Sequence, residues 1–465
     1  MDAFVEKTFN LVKKTIENNR WRQEECINLI PSETTPSILV RLLEISDPSG
    51  RYAEHRTMKG KEIYFYQGID FIKDVEIEVK KELIKYFNCN EVDVRPISGQ
   101  MANMVAFNAM LKFINRGNKG KPLRRMTAVM NNELTHGGHL SSQPMGALFN
   151  CVEIDPNTGR ERTIGFPVRK DNPYKTDITK LDELIKKYKP ELIIFGKSMF
   201  IYPEPVKEVY DMVKDMENRP VIMYDMAHTL GLYGAFQKPF DEGADILTGS
   251  THKTFFGPQR GVIATNFDED SPFRKLWIDI KNRAFPGATS NHHLGTLLAL
   301  LLATIEMNQF KDEYQSQVIK NAKSFARSLK SYGIDVEGDE SDGYTKTHQV
   351  LIRVKKYDSG EVIAKKLEEN NIIANYQALP DDESFINCSG IRLGVQEMTR
   401  FGMTEKDFDT IAGLMAEVIV YNKNVKDEVK NLRKNFLKMK FCLPDKESIE
   451  LTKNLLNSIY SNLSG

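Results

Sequence analysis

Cysteine is scarce: Cys26, Cys89, Cys151, Cys388 and Cys442 are the only five, and no two form a CxxC pair. An odd, widely spaced set gives no disulfide framework and reads as reduced thiols of a cytoplasmic protein. A surplus of either charge is also lacking. Lys and Arg total 64, Asp and Glu total 64, and the formal net charge is zero. Nucleic-acid binding needs a basic excess somewhere, and no long block of like charge supplies one. No apolar run reaches the roughly 20 residues of a membrane-spanning helix. The most apolar stretch, Leu294 to Ile305, reads instead as a buried core helix. The N-terminal segment MDAFVEKTFNLVKKTIENN is amphipathic and charged, without the apolar centre of a signal peptide. Fixed-period repeats and low-complexity tracts are missing too, which removes solenoids and beads on linkers. What remains is a chain of 465 residues, long enough to bury large cores without disulfides or metals.

What the sequence does contain is alternation. Short apolar runs and helical patterns follow one another through VDVRPISG, a helical stretch from Gln100 to Ile114, TAVM, ELIIFG, a helix near Pro205–Met216, VIMYD and ADILTGS. Such spacing implies βα units and a mostly parallel sheet covered on both faces, the α/β class. A helical pattern from Lys311 to Tyr332 leads on to a smaller α+β unit. Its strands are HQVLIRV and GIRLG, and its helices SGEVIAKKLEENN and EKDFDTIAGLMAEVIVYN. The expected layout is an N-terminal helix and site-lining arm over 1–60, a large α/β domain over 61–310, and a small α+β domain with a helical tail over 311–465.

The most informative segment is ADILTGSTHKTFFGPQRGVIATN. A strand ends near Ser250, and a turn then presents Thr251, His252 and Lys253 before Gly257-Pro258 redirects the chain. Ligands of open α/β sheets bind beyond the carboxyl ends of the strands, so Lys253 sits where a Schiff-base lysine belongs. A solvated turn lysine is the plainer alternative. Asp225 follows the apolar run of VIMYDMAH, again at a strand's carboxyl end. A carboxylate there needs a cation, and a protonated pyridine nitrogen is one. An acidic N-cap is the alternative.

RPISGQMANM puts Ser98, Gly99 and Gln100 between a strand and a helix, where N–H groups and the helix dipole favour a phosphate. THGGHL spaces His136 and His139 without a third metal ligand, and its Gly-Gly disfavours a helix. An imidazole lying over a cofactor ring is the better reading, and no metal is expected. Arg392 in SGIRLGVQEMTR offers a planar fork for a substrate carboxylate, or is simply a surface strand arginine. Upstream, NLIPSETTPS and RYAEHRTMKGKEIYFYQG are polar and aromatic without helical period; Glu54, Tyr52, Tyr64 and Tyr66 suit acid–base work or interface packing.

Together, NLIPSE, RYAE, VRPISG, HGGHL, YDMAHTLGL, GSTHKTFFGPQ, FPG and SGIRLG resemble serine hydroxymethyltransferase over about residues 25 to 420, with GSTHKTFFGPQ and SNHH most like archaeal members. The resemblance implies a fold-type I pyridoxal-phosphate (PLP) enzyme with a seven-stranded-type α/β/α domain and a cytoplasmic homodimer with shared sites. It implies Lys253 as the Schiff-base lysine with His252 beside it, Asp225 on the pyridine nitrogen, and His139 over the ring. Ser98, Gly99 and Gln100 would hold the phosphate, and Ser198 and His228 the ring hydroxyl and its surroundings. Ser32, Tyr52, Glu54, Tyr66 and Arg392 would contact substrate, with Glu54 transferring a proton. Leu134, Gly138, Leu140 and Gln377 would line a tetrahydropterin.

The implied reaction cleaves serine to glycine and passes one carbon to the pterin. A β-hydroxy-amino-acid aldolase or transaldolase working without pterin is the alternative. Two departures from the family pattern fall near the pterin side: the longer HRTMKGKEIYFYQG, without the usual proline and arginine, and Asn375-Tyr376-Gln377 in place of Asn-Lys-Asn. They imply a carrier other than tetrahydrofolate.

Overall fold

The computed structural model describes residues 2–58, 61–118 and 120–460. The chain forms two compact units, residues 34–315 with 442–465, and residues 1–33 with 316–441. The divisions thus fall at 33/34, 315/316 and 441/442, where the sequence suggests about 60 and about 310.

The larger unit is built on seven strands: β1 (Glu91–Asp93), β2 (Val129–Asn131), β3 (Thr163–Gly165), β4 (Leu192–Phe195), β5 (Val221–Asp225), β6 (Ile246–Ser250) and β7 (Gly261–Thr265). Their spatial order is β1-β7-β6-β5-β4-β2-β3. β7 runs antiparallel to both neighbours, and the β6-β5-β4-β2-β3 run is parallel throughout. This is the mostly parallel sheet of a fold-type I enzyme. β3 is an edge strand whose TIG carries too few apolar residues to announce itself.

β4 to β7 are buried along their whole length, which is why they read as unbroken apolar runs. On one face Val129, Leu192, Val221, Met223, Ile246 and Ile263 pack against helix Gly99–Ile114 and helix Arg274–Asn282. Each fully buried Val, Leu or Ile there contributes roughly 1.5–3 kcal/mol of transfer free energy. The two apolar helical stretches at Leu294 and Lys311 are one helix, Leu294–Ser331, continuous across residue 315.

In the smaller unit, β8 (Asp335–Val336), β9 (Gln349–Arg353), β10 (Asn375–Gln377) and β11 (Gly390–Gly394) form an antiparallel sheet in the order β8-β9-β11-β10. The N-terminal segment joins this unit because Ile27–Asn28 pairs in parallel with Ile372–Ile373. Among the described residues no helix is long and apolar enough to cross a membrane. The five cysteines are free thiols.

Candidate active site

The site in the larger unit lies where β5 and β6 end. Asp225 closes β5 and pairs in register with Thr248 of β6. It is buried, a costly position for a carboxylate unless several donors converge on it. They do. His139 Nδ1 lies 2.5 Å from Oδ2, the Asn103 amide donates to the same oxygen at 2.8 Å, and the Ala227 N–H donates to Oδ1 at 2.9 Å. Burial, the largest influence, pushes the carboxyl up; His139, Asn103 and the backbone N–H outweigh it and hold Asp225 below the ordinary carboxylate range. Asn103 is fixed in turn. Its amide also donates to Ser141 Oγ at 2.7 Å, and its oxygen accepts from Thr248 Oγ1 at 2.6 Å.

A single glycine and a glycine pair let backbone segments approach this carboxylate. Gly196, after β4, is so close that a Cβ would lie 2.9 Å from Asp225 Cβ. Gly137 has φ +84, and a Cβ on Gly138 would meet Asn132 O at 2.1 Å. That is why HGGH forms a tight turn and no helix. The turn delivers His139, whose N–H donates to Gly196 O at 2.9 Å, and it holds Ser198, whose N–H donates to Gly137 O at 2.8 Å. His136 turns aside to Glu133 at 3.6 Å. Among the described residues no group of three His, Cys, Asp or Glu is arranged for a metal ion.

Ser98 caps helix Gly99–Ile114, its Oγ accepting from the Met101 N–H at 3.1 Å. A Cβ on Gly99 would fall 2.2 Å from Ser250 Oγ, so glycine here is what lets the helix N-terminus and the end of β6 converge. Gln100 is exposed in the first turn. From Ser250 the chain enters the lysine turn, closed by Thr251 Oγ1 donating to Pro258 O at 2.6 Å and the Gly257 N–H donating to Thr251 O at 2.8 Å. Lys253 Nζ lies 3.2 Å from His228 Nε2, and His228 meets the His139 ring edge-on at 5.6 Å. Burial, helped by the neighbouring Lys253 charge, lowers His252 to about 4, so its imidazole is neutral at pH 7.

A second group sits on a β-hairpin, His55–Met58 paired with Lys61–Tyr64; residues 59 and 60 lie outside the described residues. The Phe65 N–H donates to Glu54 O at 3.0 Å, which sets Glu54 beside Tyr66. Their side chains share a hydrogen bond, and Tyr52 and Tyr66 rings lie 5.4 Å apart. Partial desolvation, then the Glu54 charge, raises the Tyr66 hydroxyl. Leu134 and Leu140 bracket the HGGH turn, Leu140 half exposed and Gly138 buried.

Ser32, Arg392 and Gln377 belong to the smaller unit. Arg392 is central on β11 opposite Asn375 of β10, and its Nε–H donates to Asn375 Oδ1 at 3.4 Å. Burial alone lowers its guanidinium to about 10. The Pro31-Ser32 turn packs at the end of the same strand: the Gly394 N–H donates to Leu29 O at 2.7 Å, and a Cβ on Gly394 would lie 2.5 Å from Pro31 Cα. Asn375, which keeps the first asparagine of the family's Asn-Lys-Asn, is therefore the cross-strand neighbour of Arg392. Gln377 ends β10, half buried.

Sequence reasoning misses Asn103, Ser141, Thr248 and a buried ion pair, Lys197 to Glu204 at 2.6 Å, beside Ser198. An asparagine inside the apolar run NMVAFNAM is a usable signal for the first, since a buried amide needs partners. The others carry no local signature.

The serine hydroxymethyltransferase family model matches residues 5–415. A serine hydroxymethyltransferase of Pyrobaculum islandicum is 36% identical over 459 residues, 98% of each chain. That of Staphylothermus marinus is 38% identical over 452 residues, 95% of each chain. Among solved structures, L-threonine transaldolase from Pseudomonas fluorescens superposes with a TM-score of 0.80 at 26% identity, covering 99% of both chains. The chain belongs to the serine hydroxymethyltransferase family.

Proposed function

We propose that this protein is a PLP-dependent hydroxymethyltransferase that converts serine to glycine and passes the hydroxymethyl carbon to a tetrahydropterin. The observation that carries the reading is a buried carboxylate, Asp225, held below the ordinary carboxylate range at the end of β5 and in register with β6, the strand that leads into the Lys253 turn. A phosphorylated pyridine fits these residues. Asp225 supplies the anion a protonated ring nitrogen requires. The capped helix beginning at Gly99, kept close by the glycine against Ser250, supplies N–H donors for a phosphate. PLP bound there supplies an electron sink for cleavage of the Cα–Cβ bond of serine.

The remaining work falls to the chain's own groups. Asp225 would hold a proton at the pyridine nitrogen, and His139, which steadies Asp225 at 2.5 Å, would face the ring. Lys253 supplies its amine, with His228 accepting or returning a proton at Nζ across 3.2 Å. His252 flanks the lysine as a neutral imidazole. Ser98, Gly99 and Gln100 bind the phosphate, and Ser198 with His228 the ring hydroxyl. Arg392 and Ser32 hold the substrate carboxylate. Glu54, with Tyr52 and Tyr66 beside it, moves a proton at the serine hydroxyl and at the carrier. Leu134, Gly138, Leu140 and Gln377 line the pterin. The family resemblance supports a cytoplasmic homodimer with shared sites, in which Tyr52 matches the tyrosine that serves the partner's site.

Lys253→Ala tests the core of this: added PLP gives no lysine-linked visible absorbance band and serine turnover is lost. A wild-type band in the variant removes Lys253 from its role. The similarity to a transaldolase supports a second reading, turnover without pterin. Serine cleavage measured with tetrahydrofolate, with a methanopterin-type carrier and with neither separates them. A modified pterin is expected to serve best, because the 55–68 loop and Asn375-Tyr376-Gln377 depart from the family pattern, and a site shaped for one polar tail rejects another. Equal turnover in all three favours the transaldolase-like reaction, and full speed with tetrahydrofolate makes the carrier the ordinary one.

A further inference from the structure

The hairpin that presents Glu54 has two short strands, and such a ribbon is marginal in water without a tertiary anchor. Its described outer positions, Arg56 and Lys61 to Ile63, are exposed; only Ala53 and His55 are buried. The anchor is a carboxylate. Glu76, on helix Asp70–Phe87, is buried, and its Oε2 accepts from the Tyr64 hydroxyl at 3.1 Å. His55 Nε2 lies 3.5 Å from the same oxygen, and the His55 ring stacks on Tyr64 at 4.4 Å. His55 Nδ1 in turn bonds Ala53 O at 3.1 Å, so both residues flanking Glu54 are tied down.

The other oxygen, Oε1, lies 2.6 Å from His292 Nε2. Burial, then the charge of Arg260, keeps His292 well below its ordinary value, so the neutral ring donates its Nε2–H to Glu76. The His292 carbonyl accepts from the guanidinium of Arg260, which also donates to Val94 O, His293 O and Thr296 Oγ1. Arg260 and Thr251 are joined by two backbone donations, Thr251 N–H to Arg260 O and Arg260 N–H to Thr251 Oγ1, both at 3.1 Å. An unbroken hydrogen-bonded chain therefore runs from the lysine turn, through Arg260, His292 and Glu76, to the hairpin of Glu54.

We propose that Glu76 is a positioning residue that fixes Glu54 and Tyr66 by clamping Tyr64 and His55 against His292. The proposal rests on the proton-transfer reading of Glu54. A side chain at this distance acts through geometry, and a misplacement of about 1 Å at a reacting group costs on the order of a hundredfold in rate. Glu76→Ala in the PLP-loaded, full-length enzyme is expected to lower kcat for serine by about that factor. The serine KM and the cofactor's visible absorbance should stay at wild-type values. In a Glu54→Gln background the same substitution should add no further loss, because the group it positions is already disabled.

Tyr64→Phe, which deletes one hydroxyl and keeps the ring on His55, carries the test if Glu76→Ala does not fold; it should lower kcat in the same direction by a smaller factor. Wild-type kcat in Tyr64→Phe or Glu76→Ala, or equal losses in both backgrounds, overturns the proposal while Glu54 keeps its role. Wild-type turnover by Glu54→Gln removes that role, and the proposal with it.

Discussion

Asp225 and Glu76 are both buried carboxylates of the larger unit, each with histidine beside it, yet they are driven in opposite directions. Asp225 is held below the ordinary carboxylate range, and Glu76 is raised above it. Burial is the largest influence on both. At Asp225 an imidazole at 2.5 Å, a side-chain amide and a backbone N–H all aim donors at two oxygens. At Glu76 the one short imidazole contact comes from His292, a ring kept neutral, while His55 stays at 3.5 Å and Tyr64 brings a neutral hydroxyl. Histidine proximity therefore does not settle the charge of a buried acid. Fixed donors decide the direction of the shift, and the group held below its ordinary value is the one the proposed chemistry needs charged.

The largest effect should come from removing that charge. Asp225→Asn keeps the size and hydrogen-bonding capacity of the side chain and deletes the anion facing the pyridine nitrogen. Loss of preorganised electrostatic stabilisation of this kind costs on the order of a hundredfold to a thousandfold in kcat, and the upper end is expected here. Steady-state serine turnover measures it. An Asn variant within a few-fold of wild type would mean that the contrast between the two carboxylates has no catalytic meaning.

Arg392 sharpens the contrast from the other sign. Burial lowers its guanidinium to about 10, still cationic at neutral pH. A lysine in the same place would lose more ground, because an ammonium shifts readily on burial and cannot fork across two carboxylate oxygens. Arg392→Lys should weaken serine binding by about 1.5–3 kcal/mol, the loss of a charge-assisted hydrogen bond. Titration with serine, followed by the cofactor spectrum, reports it. Unchanged affinity would show that the carboxylate docks elsewhere.

Much of this arrangement can be read along the sequence. Strand-end positions announce themselves: VIMYD and ADILTGS are apolar runs, so Asp225, Ser250 and Lys253 fall at their ends by counting. HGGHL signals a turn because two glycines break any helix. Other features stay hidden, since they depend on residues distant in sequence. Asn103 meets Asp225 across 122 positions, and His292 meets Glu76 across 216. The Thr163–Gly165 edge strand is too short and polar to show a period. His292-His293 is no chelate in the sequence because adjacent side chains diverge; in the fold that divergence sends His292 alone to Glu76.

The smallest effect expected is also the most direct test of the comparison, because it needs no substrate. Asp225 titrates below its ordinary value of 3.8, so its ionised form stabilises the fold above that pH, and the contribution disappears as pH falls through the depressed value. Glu76 titrates above its ordinary value of 4.5. Its contribution is complete in acid and is lost as pH rises through the raised value, because the charged form is the one burial penalises. Around Glu76, Lys80 and Arg95 join His55 and Tyr64 in opposing burial without overcoming it.

Melting temperatures of wild type, Asp225→Asn and Glu76→Gln, taken from about pH 3 to about pH 7, should therefore diverge with opposite slopes. The deficit of Asp225→Asn grows as pH rises, and the deficit of Glu76→Gln shrinks. Slopes of the same sign would show that the two carboxylates are shifted in one direction, and that the extra donors at Asp225 do not distinguish them.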